Sequence, residues 1–370
     1  SPAAGIPGGR LRGIPYLRRG EVPFKLYHGY GFQVPALYHF PDVGGLAAPG
    51  VAFAQSSVTI SGVFKVSFDN IKLGSYTRAG RNSETRVADD SSRIIFNVTE
   101  DLGGGLAAIA QVDMRFQPDL GADASVGNTW VGLRSKSWGT MTIGRHDQHY
   151  FNTESRLTSK AASLKADSIS LLAFAGGGGI PIASASRTPN NIRYTSPNWG
   201  GFTVLAGYST NMAGTEADIG SVTRKGRAWN LNPNFAGANW QVGYSYWSGK
   251  ADIGGGTVAT GDQRGDRLYG SYAWGGFRAG LAWDKSKIKP TGGGANLSDR
   301  TAWSIPVEFV TGNHNFLGHY TRARDDKATA GVQDGAKMLS LAYVYDMSKR
   351  TSVGLTYSKI TNDAGAAYQP

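Results

Sequence analysis

The sequence predicts an all-β protein, a transmembrane antiparallel β-barrel, and three observations carry that prediction. The first is strict alternation: within residues 106–117, Leu106, Ala108, Ala110, Val112, Met114 and Phe116 are apolar, with Gln111, Asp113, Arg115 and Gln117 between and after them. A side-chain period of two places these sets on opposite faces of one strand. The second is recurrence of that pattern along the chain, with tight turns alternating with long Gly/Asp/Lys-rich loops, an asymmetry that a soluble sandwich has no reason to show. The third is the placing of Trp138, Tyr194, Trp199, Trp274, Phe277 and Tyr345 at or beside the short turns, where an interfacial girdle belongs. No run of about 18 apolar residues is present, so no segment of the sequence crosses a bilayer as a helix. The mean hydropathy of -0.29 fits a wall that shows only every second residue to lipid.

The elements follow in order. Val58, Ile60, Gly62, Phe64, Val66 and Phe68 share one face of a first strand, and residues 71–90 are polar and charged, which predicts a long loop. Residues 92–99 alternate again, and Glu100-Asp-Leu-Gly-Gly-Gly105 makes a tight turn into the strand described above. Residues 129–134 and 141–145 pair across Ser137-Trp-Gly139. After a long stretch, 146–188, come strands at 192–195, 202–209, a weaker one near 227–231, and 240–247. Hairpins at 268–284, 301–322 and 339–359 complete about fifteen strands.

Ends and composition add limits. Ala52-Phe-Ala54, after an apolar stretch beginning at Leu46, reads as the end of a signal peptide (residues 45–54) with cleavage after Ala54. Residues 1–44 carry Pro2, Pro7, Pro15, Pro23, Pro35 and Pro41 and no regular period, and they read as an upstream segment outside the mature fold. The barrel is then residues 55–370. Cysteine is absent, so stability comes without disulfides. A net charge of +11 fits a nucleic acid, an acidic surface or a lumen that attracts anions; no helix with a basic face is present to favour nucleic acid.

Several segments resemble the trimeric general porins of the β-proteobacterial type. They are Ser92-Arg-Ile-Ile-Phe with Thr99-Glu-Asp-Leu-Gly-Gly-Gly-Leu106, Gly139-Thr-Met-Thr-Ile-Gly-Arg145, Arg187-Thr-Pro-Asn-Asn-Ile-Arg-Tyr194, Ser196-Pro-Asn-Trp-Gly-Gly-Phe202, and Ser348-Lys-Arg-Thr351. The resemblance implies a sixteen-stranded barrel, a homotrimer in outer-membrane lipid, and a third external loop folded into the lumen as an eyelet. It also implies a passive path for small hydrophilic solutes and inorganic ions, with no cofactor. Family members end in a strand whose last residue is aromatic; this chain ends at Tyr368-Gln-Pro370, after a loop-like stretch, so the closing strand is expected to be missing. Where the family carries a basic cluster on its fourth strand, this chain has Gly127-Asn128.

Residues 146–188 are too long for an ordinary connector. Their apolar middle, residues 169–175, suits a segment packed inside the wall, or a contact with a neighbouring subunit. By parity Arg93, Arg115, Arg134 and Arg193 face the lumen, and Arg145, which shares the parity of Met141 and Ile143, must turn inward as the loop begins; Arg187, at the start of the returning strand, joins them as lining. Asp113, Asp147, Glu154 and Asp167 are candidates for an acidic side across a narrow water path. A transverse field of that kind favours anions.

His146 and His149, with Asp147 between them, would hold a metal only if the turn were helical and a further ligand converged; the expected alternative is a pair of solvated loop histidines. No G-x-S-x-G nucleophile motif occurs, and Gly176 to Gly179 lack the Lys-Ser/Thr of a phosphate loop. The sequence therefore predicts no enzyme, metal or cofactor site. Its second reading is an outer-membrane adhesin or receptor that uses loops such as residues 249–265 for contact.

Overall fold

The computed structural model describes residues 30–33, 56–72, 83–154, 156–157, 171, 174–175, 180–182, 185–212, 226–250, 261–290, 293–366 and 368. In chain order the strands are β1 (Tyr30–Gln33), β2 (Ser57–Lys72), β3 (Ser83–Asp89), β4 (Arg93–Gly103), β5 (Leu106–Gln117), β6 (Ala122–Ser135) and β7 (Gly139–Asp147). A short helix, α1 (His149–Glu154), follows. Then come β8 (Phe174–Ala175), β9 (Ile180–Pro181), β10 (Arg187–Thr195), β11 (Phe202–Ser209), β12 (Ala228–Ala236), β13 (Trp240–Lys250), β14 (Gly261–Trp274), β15 (Phe277–Pro290), β16 (Ser298–Thr311), β17 (His314–Ala323), β18 (Ala336–Asp346) and β19 (Thr351–Asn362).

Among the described residues one sheet holds 17 strands, and β8 with β9 forms a separate two-stranded piece. The wall is antiparallel throughout, each strand laddered to the next, with β7 meeting β10 across the long loop. β3 lies opposite residues 66–72 of β2 and β4 opposite residues 57–63, so β3 continues the β2–β4 hairpin and takes no separate place in the wall. The other 16 strands of the sheet form the wall. Closure falls to β1, which lies antiparallel between β19 (Tyr30↔Val353 to Phe32↔Thr351) and β2 (Gly31↔Lys65 to Gln33↔Val63). The sequence leaves an open edge after the last hairpin and sets residues 1–44 outside the barrel; here four of those residues occupy the edge. Two rows of unpaired N–H and C=O groups are costly in lipid, and an extended segment between them satisfies some of each.

Alternation decides which side of the wall faces what. On β12, Trp229, Leu231 and Phe235 are 58%, 47% and 41% exposed, while Asn230, Asn232 and Asn234 between them are 3%, 1% and 3% exposed. A polar row is buried and an apolar row is bare, the reverse of a soluble sheet and the pattern of a barrel in lipid with a filled lumen. The same holds on β5, where Val112 and Met114 are exposed and Asp113 is buried.

The tight turns after β4, β6, β10, β12, β14, β16 and β18 all lie at one end. In the first of them Gly103, Gly104 and Gly105 have φ of 83°, 60° and 80°, a run that only glycine adopts without strain, and Asp101 Oδ1 accepts from the Gly103 amide at 2.8 Å. Beside these turns an aromatic row runs from strand to strand. Trp274 stacks on Phe277 at 5.6 Å, Phe277 on Phe309 at 4.2 Å, and Phe316 lies against Tyr343 at 5.2 Å. This is the girdle that the placing of Trp274, Phe277 and Tyr345 predicts.

Three segments differ from the sequence reading. Residues 71–90 are not simply a loop, since the ladder of β2 and β3 runs from Val66↔Asp89 to Lys72↔Ser83; β3 is mostly polar, so hydropathy does not mark it. The stretch 249–265 is strand at both ends, with the ladder of β13 and β14 running out to Lys250↔Asp262. The link from β5 to β6, at the end that bears the long loops, spans only residues 118–121.

Candidate functional site

α1, which opens the connection from β7 to β10, packs on the inner side chains of β12, β13, β14 and β15. Asn152 Nδ2 donates to Asn232 Oδ1 at 2.7 Å, and Tyr150 OH donates to Asp284 Oδ1 at 3.3 Å. His149 Nδ1 lies 2.9 Å from Ser245 Oγ. Glu154 pairs with Arg267, and both are buried. Leu157 is buried with Tyr269 and Ala282, and Leu171 with Tyr150, Ile182 and Trp247. Leu171 thus lies in an interior cluster, as a packed apolar segment requires; residues 169, 170, 172 and 173 lie outside the described set.

Burial lowers the proton affinity of His149, with the Asp284 carboxylate opposing it, so its ring is held below the ordinary histidine range. Burial, reinforced by Asp284, raises Tyr150 well above the ordinary tyrosine value. Both groups are therefore neutral at pH 7 and serve as hydrogen-bonding anchors.

On the other side of the loop stands a basic wall. Arg93 of β4 lies directly opposite Arg115 of β5 in register, a pairing of like charges that is unfavourable by itself. Asp113 relieves it, its Oδ2 lying 3.9 Å from Arg93 NH1 and 3.3 Å from Arg115 NH2. Asp147 does the same for the arginines further round: its Oδ1 accepts from Arg187 Nε at 2.7 Å, and its backbone carbonyl accepts from Arg193 NH1 at 3.3 Å. Asn128 fixes it from β6, donating to Oδ2 at 2.9 Å and accepting the Asp147 amide at 2.7 Å. Arg187 interacts electrostatically with both Arg115 and Arg145, which joins the two groups, and its guanidinium lies 4.9 Å from the centre of the Phe151 ring on α1.

Arg93, Asp113, Arg115, Arg145, Asp147, Arg187 and Arg193 therefore come together. Arg145 joins through its electrostatic interaction with Arg187 and Asp147, beside Gly144 at φ 147° and an irregularity in the ladder to β10 between Thr188 and Asn191. Arg134 does not join it: it is exposed at the short-turn end, opposite Ala107 and Thr140. The acidic side is also arranged differently from expectation. Asp113 and Asp147 sit among the arginines and not across from them, because guanidinium groups this close need counter-charges between them. Glu154 is at the far wall, compensated by Arg267, and Asp167 lies outside the described residues.

The histidines are not solvated. His146 is buried and stacks on Trp130 with ring centres 6.0 Å apart, and His149 is the buried anchor already described. No group of acidic, histidine or cysteine side chains suited to a metal occurs among the described residues. The residues that sequence reasoning does not single out are Phe151, Ser245, Arg267 and Asp284, and the use of Asn128. Gly127 has a role as well: a Cβ there would fall 1.9 Å from Asp113 Oδ2. Gly127→Ala is thus expected to push the carboxylate off its two arginines. The expected readout is a zero-current potential displaced from the wild-type value, with assembly intact; an unaltered potential would show that the Asp113 position is immaterial to ion passage.

Comparisons with known proteins agree with this architecture. The sequence matches the family described as Gram-negative porin over residues 43–365. It is 28% identical, over an alignment of 317 positions covering 83% of this chain and 85% of the relative, to outer membrane porin protein 32 of Delftia acidovorans. It is 26% identical over 355 positions to an outer membrane porin protein of Bordetella pertussis, covering 82% of this chain and 89% of that one. The fold is similar to that of an anion-selective porin from Comamonas acidovorans, with a TM-score of 0.67 at 24% identity, covering 83% of this chain and 90% of the other. With the family matched over most of its length, its polar lumen inside a lipid-facing wall and α1 docked within that wall, the chain belongs to the Gram-negative porins, passive channels of the outer membrane.

Proposed function

We propose that this porin prefers anions, and that Arg93, Arg115, Arg145, Arg187 and Arg193 line the constriction that makes the choice. The single observation that carries the reading is the charge of the basic wall. Five guanidinium groups share two carboxylates, Asp113 and Asp147, while the facing Glu154 is compensated by Arg267. A fixed positive excess beside a narrow water path lowers the energy of an anion there and raises that of a cation. The likeness to a Comamonas acidovorans porin that is itself anion-selective supports the same direction. Assembly as a homotrimer belongs to the proposal, supported by the trimer form described for OmpT of Vibrio cholerae, which shares the fold at 15% identity.

The solutes are small and hydrophilic, with a carboxylate or phosphate favoured over an amine of equal size. Swelling of proteoliposomes tests this. Vesicles in a small dicarboxylate are expected to swell faster than vesicles in a diamine of equal length, and the opposite order would overturn the charge reading.

A further inference from the structure

One buried cluster lies outside the basic wall. His149, Ser245 and Asp284 are 0%, 0% and 1% exposed, and they stand in a serine–histidine–carboxylate order, with His149 Nε2 3.6 Å from Asp284 Oδ2. Burial of all three denies a substrate access, so the set is a clamp and not a catalytic group. Ser245 Oγ accepts from Asn230 Nδ2 at 3.1 Å, which leaves its own proton for His149 Nδ1 at 2.9 Å. The neutral ring then carries its proton on Nε2, facing Asp284. The ring lies over bare backbone, since a Cβ on Gly265 would come within 2.9 Å of Nε2. Three strands, β13, β14 and β15, thus form a socket for one side chain of α1.

The same helix reaches the opposite side of the site. Phe151, two residues on, carries the Arg187 guanidinium on its ring face at 4.9 Å, and such a contact is directional. Gln148, just before α1, donates to Asn191 of β10 at 2.9 Å. α1 is therefore a strut between the socket and the basic wall.

We propose that His149 is a positioning residue of the constriction: by locking α1 into the socket of Ser245, Gly265 and Asp284 it fixes where Phe151 holds Arg187, and so sets both the aperture and some of its charge. The proposal rests on the reading of Arg187 as a lining charge. Its test is single-channel conductance together with zero-current potential in planar bilayers, for the full chain and for His149→Ala, His149→Gln and Phe151→Ala. Loss of the lock is expected to raise conductance in H149A by about 1.3- to 2-fold and to lower the anion-to-cation permeability ratio by about 2-fold, as a wider, less focused aperture requires. In H149Q the amide accepts from Ser245 and donates towards Asp284, so both quantities are expected to return to wild-type values. F151A keeps the lock and removes the aromatic face under Arg187, leaving its ion pair to Asp147; it is expected to lower the permeability ratio with conductance unchanged.

Wild-type conductance and potential in H149A, or failure of H149Q to restore either, would overturn the proposal. Should H149A fail to assemble, Ser245→Ala removes only the hydroxyl partner and is expected to shift both quantities the same way; wild-type values there would overturn the proposal equally. The two readings separate cleanly. A wild-type channel without anion preference defeats the charge reading, whereas the conductance of H149A reports on the lock whatever the selectivity.

Discussion

Glutamate in place of both Arg93 and Arg115 is expected to turn an anion-preferring channel into a cation-preferring one. The two side chains lie opposite each other on β4 and β5, and the hydrogen bonds that anchor α1 run to β12, β13 and β15 instead. Five guanidinium groups and two carboxylates become three and four, and the sign of the local excess changes. A unit charge about 4 Å away is worth roughly 1 kcal/mol to a monovalent ion even in bulk water. Each reversal alters the charge by two units, so the pair alters it by four and shifts the energy of a monovalent ion by roughly 4 kcal/mol, in opposite directions for anion and cation, before screening. Screening over a Debye length of about 10 Å at 0.1 M salt reduces that and does not abolish it. The zero-current potential of R93E/R115E in a potassium chloride gradient reads the outcome. A potential of unchanged sign and size would mean that these arginines are bystanders to ion passage.

The second large effect concerns stability. Glu154 and Arg267 form a buried pair between α1 and β14, with the Tyr150 ring 5.9 Å from the Arg267 guanidinium. Removing one partner of such a pair leaves an uncompensated buried charge and costs roughly 3–5 kcal/mol. Glu154→Ala is therefore expected to destabilise the docked loop by about that much, seen as a lower urea midpoint in detergent and as noisier, larger conductance. Glu154→Ala combined with Arg267→Met removes both charges and is expected to recover most of the loss, since replacing a buried pair with apolar groups is often close to neutral. A single variant as stable as the wild type would show that water reaches Arg267 and that the pair is not buried in membrane-embedded protein.

The strand pattern is legible in the sequence because a strand's two faces are written in neighbouring residues. Val112 and Met114 against Asp113 and Arg115 need no knowledge of what pairs with them, and the glycine turn after Asp101 is likewise local. The arginine cluster is legible for the same reason, as parity alone brings Arg93, Arg115 and Arg193 to the lumen. What parity does not contain is the neighbour across the barrel. The partners of α1 lie 96 residues away for His149 with Ser245 and 134 for Tyr150 with Asp284, so nothing near His149 marks it as a buried anchor. Asn128 is visible in the sequence as a departure from the family's basic cluster, but its use is set by Asp147, 19 residues on. Arg134 shows the limit from the other side: its parity is right, and its height on the wall, beside a turn, is wrong for the constriction.

Ion preference of the unaltered protein is the most direct test of the account. With the wild-type channel in a planar bilayer and a potassium chloride gradient across it, the zero-current potential is predicted to have the sign of a chloride-preferring pore. A potential with the sign of potassium preference, or one of zero, would contradict the claim that the shared arginine wall governs passage.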